Sequence, residues 1–239
     1  MRKIAFFVEG NTEMLFVERL IEQVAEANSV HITKRRISGG GKSGKYPVSF
    51  TEVGAVKEVT SEEFFVLIYD CGNDALVAER IKREHPTLTA AGYEKIVGIR
   101  DVRPDFKREE VPRLERVMRM YLKTSLAPVV FILSVMEVEA WFLAEFSHFE
   151  KIHPDLTVEF IQQQLGFDLR SLDVSTREHP AKDLLDIYSL RGEEYKKSKA
   201  INTIEHLDYA RMYYEMGGMV PSVGVLCREI DQFLTTGQA

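Results

Sequence analysis

The chain has 239 residues, 45% hydrophobic and 28% charged, which is enough apolar material for a sizeable core and excludes a disordered polymer. A net charge of −6 excludes a general basic field, so any contact with nucleic acid must rest on a local basic patch or a bound metal. Two cysteines, Cys71 and Cys227, exclude a disulfide framework, and no apolar run reaches membrane-spanning length; a cytoplasmic protein that does not cross a membrane is the expectation.

Ile4 to Val8 is a short apolar run fit for a buried strand. It stops at Glu9-Gly10, and a helical pattern with Met14, Val17, Ile21 and Val24 on one face follows directly. An acid at the carboxyl end of a central strand faces the crevice where open α/β sheets bind ligands. Glu13 suits the first helical turn, where a carboxylate favours the macrodipole. It completes no capping box, because Gly10 has no side-chain oxygen. Val30 to Ile37 alternates apolar and polar residues as a half-buried strand does. The basic, glycine-rich Ser38–Lys45 that follows has Arg36 where a P-loop needs its first glycine and runs into an extended segment, so a nucleotide loop is excluded. A solvated turn and a loop that brings Lys42 and Lys45 to an anion both stay open.

Glu63 to Tyr69 is the most apolar short run and predicts a central strand. It ends at Asp70-Cys71-Gly72-Asn73-Asp74, and a helix follows. Asn73 or Asp74 suits the N-cap, whereas Asp70 lies on the strand side of the turn. Tyr93 to Ile99 predicts another strand, running into Arg100-Asp101. Pro112 then suits a helix start, with Leu114, Val117, Met118, Tyr121 and Leu122 as an apolar stripe. Pro128 to Val135 is the last strand. If it continues, Glu137 and Glu139 share a face and need a cation or an arginine between them. Beyond about Phe146 the pattern is helical, over Leu156–Leu165, Ala181–Leu190, Ile201–Met216 and Val223–Leu234. The basic cluster Tyr195–Lys199 reads equally as a solvated loop and as a phosphate contact. Three of the six histidines, His85, His153 and His179, precede proline and point to turns; none has metal-ligand spacing.

Strand, acid, turn and helix recur, which predicts an α/β domain over residues 1–145 with a largely parallel sheet and helices on both faces. Residues 146–239 form a helical C-terminal extension packed on it. The carboxyl ends of parallel strands share one edge, so Glu9, Asp70, Asp101, Glu137 and Glu139 are expected to gather there. Hard oxygen ligands of this kind suit Mg²⁺ or Mn²⁺.

Val8-Glu9-Gly10-Asn11-Thr12-Glu13 resembles the VEGxTE signature of Toprim domains, especially those of OLD-type nucleases and related phage-defence proteins. Ile96–Asp101 and Ile132–Ala140 resemble later acidic motifs of a Toprim-like bacterial family, and Pro180-Ala181-Lys182 is similar to its Pro-x-Lys element. The resemblance implies a divalent-metal site for phosphodiester hydrolysis on DNA or RNA. In it Glu9, Glu13, Asp101, Glu137 and Glu139, with Asp70, hold Mg²⁺ or Mn²⁺. One of Lys42, Lys45, Lys182 or Lys197 assists at the phosphate. The chain departs from the pattern in one place: Asp70-Cys71-Gly72 and Asp101-Val102-Arg103 each keep only the first acid of the usual Asp-x-Asp. Asp74, Asp105 or the Glu137/Glu139 pair then supplies the second acid, or one metal position is lost. The alternative is a catalytically degenerate Toprim-fold module that binds or regulates within a defence operon, with a partner protein. A small-molecule phosphohydrolase is a third option.

Overall fold

The computed structural model describes residues 1–25, 28–39, 47–53, 64–103 and 105–235. Six strands form one sheet: β1 (Arg2–Val8), β2 (Val30–Ser38), β3 (Ser49–Glu52), β4 (Phe64–Asp70), β5 (Lys95–Asp101) and β6 (Val129–Ser134). Their spatial order is β3-β2-β4-β1-β5-β6, and every neighbouring pair is parallel except β2 with β3. This is the expected α/β fold with a largely parallel sheet.

β1 lies at the centre because both of its faces are apolar. Ile4, Phe6 and Val8 enter one core layer, while Ala5 and Phe7 enter the other, as the two-residue period of a strand requires. The helix α1 (Asn11–Ala25) closes the first layer with Met14, Phe16, Val17, Leu20 and Ile21. On the opposite face, α2 (Asp74–Ala90) contributes Val77, Ala78, Ile81 and Leu88. Beside it α3 (Val111–Arg119) adds Leu114 and Met118. Burying each large apolar side chain here stabilises the fold by roughly 1.5–3 kcal/mol. Gly98 in β5 lets α2 and β6 come close, since a methyl group there would stand 2.6 Å from Ile81 Cδ1 and 2.9 Å from Phe131 Cδ1.

Among the described residues seven α-helices follow: α4 (Glu139–Ala144), α5 (His148–Ile152), α6 (Val158–Leu165), α7 (Pro180–Ser189), α8 (Ile201–His206), α9 (Tyr209–Tyr214) and α10 (Pro221–Thr235). They extend the α1 layer. Phe16 meets Trp141 and Phe142 with ring centroids 5.6 Å away in each case, and Phe233 of α10 meets Phe64 of β4 at 5.4 Å.

Four expectations are corrected. Ile201–Met216 is two helices, because the chain leaves helical geometry at Leu207 and the Asp208 side chain caps the second by accepting from the Arg211 N–H. The apolar stripe from Leu114 is shorter than expected: Met120 is extended, Tyr121 takes a φ of 70°, and Val117 and Tyr121 are exposed. His85-Pro86 sits inside α2 rather than in a turn, with the His85 ring held to the Ala127 carbonyl at 2.7 Å. Last, β6 ends at Ser134, so Glu137 and Glu139 do not alternate along a strand; Glu139 opens α4 instead. Lys42 and Lys45, with most of their glycine-rich loop, lie outside the described residues. No described helix is long and apolar enough to cross a membrane.

Candidate functional site

β1 and β5 are adjacent and parallel, which places the residue after Val8 beside the last residues of β5. Glu9 follows β1, Asp101 ends β5, and Glu13 stands in the first turn of α1. One carboxylate oxygen from each of Glu9, Glu13 and Asp101 lies within 4.8 Å of the other two. Glu13 also carries the local role that its position suggests, since its Oε2 accepts from the Gly10 N–H at 3.0 Å. That bond is half of a capping box, made without the hydroxyl that usually completes it.

Asp74 joins this centre from the turn after β4. Asn73 takes the N-cap of α2, accepting from the Leu76 N–H. Asp74 is thereby free to accept from the Asp101 N–H at 3.0 Å, and its carboxyl stands close enough to Glu9 to raise that group. Two carboxyl groups so placed favour holding a proton over carrying two charges.

Glu139, 1% exposed, approaches from α4. Its Oε1 accepts from the Tyr195 hydroxyl at 2.8 Å and lies 3.6 Å from Lys197 Nζ, which is 3.4 Å from Glu137 Oε1. The Thr12 hydroxyl donates to the Lys197 carbonyl, tying the lysine segment back to α1. Oε2 of Glu9 and Oε2 of Glu139 are both buried without a hydrogen-bond partner. Ser134 Oγ, beside Asp101 in the β5–β6 register, is another such atom. Buried acceptors left open carry a cost of about 1–3 kcal/mol each that a cation would remove.

Electrostatics follow from this crowding. Burial pushes the Glu9 carboxyl up to about 9, with Asp74 and then Glu13 adding to the shift. Burial lifts Glu13 to about 7; backbone N–H groups at the helix start oppose the rise and Glu139 assists it. Asp101 is raised well above the carboxylate range by burial and by the charges of Glu13, Glu9, Asp74 and Glu139. Asp74 and Glu139 are raised as well, chiefly by burial. Burial works against the charge of Lys197, but Glu139, Glu137, Asp101 and Glu13 outweigh it and hold the ammonium protonated. The metal-free centre therefore stores protons at neutral pH.

The other expected residues are placed elsewhere. Asp70 is not brought into the cluster: it accepts from Arg36 Nε at 2.8 Å and from the Gly72 N–H at 2.9 Å, facing the β2 side of the sheet. The Lys182 ammonium is paired with Asp186 on its own helix. Glu137 reaches the centre only through Lys197. Tyr195 is the site residue that sequence reasoning missed. It was visible only as the edge of a basic cluster, and its partner is 56 positions away.

No family model, no curated protein and no solved structure matches the chain. The functional reading therefore rests on the residues themselves.

Proposed function

We propose that this protein is a Toprim-like phosphodiesterase that uses Mg²⁺ or Mn²⁺ to cleave DNA or RNA. The observation that carries the reading is the convergence of Glu9, Glu13 and Asp101 oxygens within 4.8 Å. The donor set fits a hard divalent cation: the ligands are carboxylate oxygens, and the buried Oε2 atoms of Glu9 and Glu139 lack any other partner. Glu9, Glu13 and Asp101 would hold the ion, with Glu139 the next oxygen donor. A bound ion there would supply the water activation and charge neutralisation of metal-assisted phosphodiester hydrolysis.

The remaining residues have roles of their own. Tyr195 fixes the Glu139 rotamer by holding one carboxylate oxygen, which leaves the other directed by geometry rather than by chance. Lys197 keeps a fixed positive charge beside the acids, where it would neutralise a phosphoryl oxygen. Asp74, beside Glu9, is the group placed to exchange a proton with it. The VEGxTE resemblance at Val8–Glu13 supports a phage-defence setting.

A second reading is favoured by one observation. Lys197 already places a cation 3.4 Å and 3.6 Å from Glu137 and Glu139, so those acids have a partner without metal. In that reading the protein is a degenerate module that binds or regulates within a defence operon. Incubation with labelled DNA and RNA in Mn²⁺ separates the two. Cleavage that disappears with chelator and in Glu13→Gln supports the enzyme; cleavage unaffected by either, or none at all, leaves the binding module.

A further inference from the structure

A small cleft of about 270 Å³ opens beside the acid centre, between the segment after β5 and the segment after β6. Arg103, Lys107, Arg108 and Glu109 line it from the segment after β5, together with Met136 and Glu178. Neighbouring arginines are committed to ion pairs: Arg100 with Asp105, Arg113 with Glu110, Arg177 with Asp183. Arg103, Lys107 and Arg108 make none among the described residues; Arg108 reaches Asp173 only as a longer-range attraction. In a chain of net charge −6, three uncommitted cations within six positions form a local anion-binding surface.

Connectivity fixes where this surface lies. Arg103 is two residues beyond Asp101, a Cα path of at most about 7 Å. Met136 directly precedes Glu137. The cleft therefore lies within reach of the phosphates that directly flank one held at the acids. We propose that the cleft is a track for the backbone phosphates of a nucleic-acid strand that flank the one at the acid centre. It would make the substrate a polynucleotide rather than a mononucleotide or a small phosphate ester. The inference rests on the phosphodiesterase reading for the location of the scissile phosphate, but the track itself is a binding property. Glu109 and Glu178 also line the cleft and oppose a single free anion there, while a strand anchored at several phosphates gains from each cation.

Binding of short labelled single-stranded DNA and RNA, read by fluorescence anisotropy over a range of salt, tests this. The wild-type protein should bind both with strong salt dependence. Replacing Arg103, Lys107 and Arg108 together by alanine should weaken binding by about tenfold or more. The salt slope should fall by about 2, since each phosphate neutralised on a single strand contributes roughly 0.7 to it. Arg83→Ala, which removes a cation from the exposed side of α2, should leave binding as it was. Equal binding by the triple variant, or no binding by the wild type, overturns the proposal. Wild-type hydrolysis of bis(p-nitrophenyl) phosphate in Mn²⁺ reads the acid centre separately. Its failure beside intact, cation-dependent strand binding removes the enzyme reading and keeps the track.

Discussion

The single residue that most determines the chemistry of this centre is Glu9. It is half-buried, set close to the Asp74 carboxyl, and left with one buried oxygen that nothing in the described chain satisfies. Glu9→Gln keeps the shape and is neutral without taking up a proton on folding, so the metal-free protein should gain about 1 kcal/mol at pH 8, or roughly 2–4 °C in Tm by calorimetry. The same change should abolish Mn²⁺-dependent cleavage. Gain of stability with loss of function is the signature of a site held under charge stress. Tyr195 makes the complementary case. In Tyr195→Phe the Glu139 carboxylate loses its 2.8 Å bond but keeps its place next to Lys197. Metal affinity, measured by titration, should fall about 10–100-fold while the fold stays intact, as is usual when a group that orients a ligand is removed.

At the scale of elements, the site depends on how closely strands and helices approach under it. Gly98→Ala would press a methyl group against Ile81 and Phe131, displacing α2 and β6 from β5 just three residues before Asp101. A loss of about 1–3 kcal/mol is expected in urea unfolding. The central strands were legible in the sequence because their signal is local: Ile4–Val8 and Phe64–Tyr69 are continuous apolar runs, and both are buried central strands. The acids at their ends were legible for the same reason. Which acid would turn inward was not. Asp70 and Asp74 are separated by a short turn in which Gly72 takes a φ of +86°. That reversal sends Asp70 to Arg36 and Gly72, lets Asn73 cap the helix, and delivers Asp74 to Glu9 and Asp101. No periodicity distinguishes the two aspartates beforehand. Tyr195 was hidden for a different reason, since a long helical segment separates it from Glu139, and across the same gap nothing singled out Lys197 from the other candidate lysines.

For the whole molecule, the raised carboxyl groups tie folding to pH. A group whose pKa is higher in the folded state binds more protons there, so its stabilising contribution is complete below the unfolded value and is lost as pH rises through the folded value. For Glu13 and Glu9 that window runs from the ordinary 4.5 up to about 7 and about 9. The metal-free protein should therefore melt at progressively lower temperature between pH 6 and pH 9, by roughly 3–5 °C per pH unit for each proton involved. Saturating Mn²⁺ should flatten the slope, because a bound cation takes over the neutralising role of those protons. The helical layer contributes to the centre as well as to the core: α4 supplies Glu139, and the segment before α8 supplies Tyr195 and Lys197.

The central claim, that Glu9, Glu13 and Asp101 form a divalent-cation site, is tested most directly by isothermal titration of the protein with Mn²⁺ at pH 7 in two buffers of different ionisation enthalpy. Saturable binding is predicted, with protons released to the buffer and affinity rising as the pH is raised towards 9; in Glu13→Gln both the binding heat and the proton release should be lost. Absence of binding, or binding with no proton release that Glu13→Gln leaves unchanged, would contradict it.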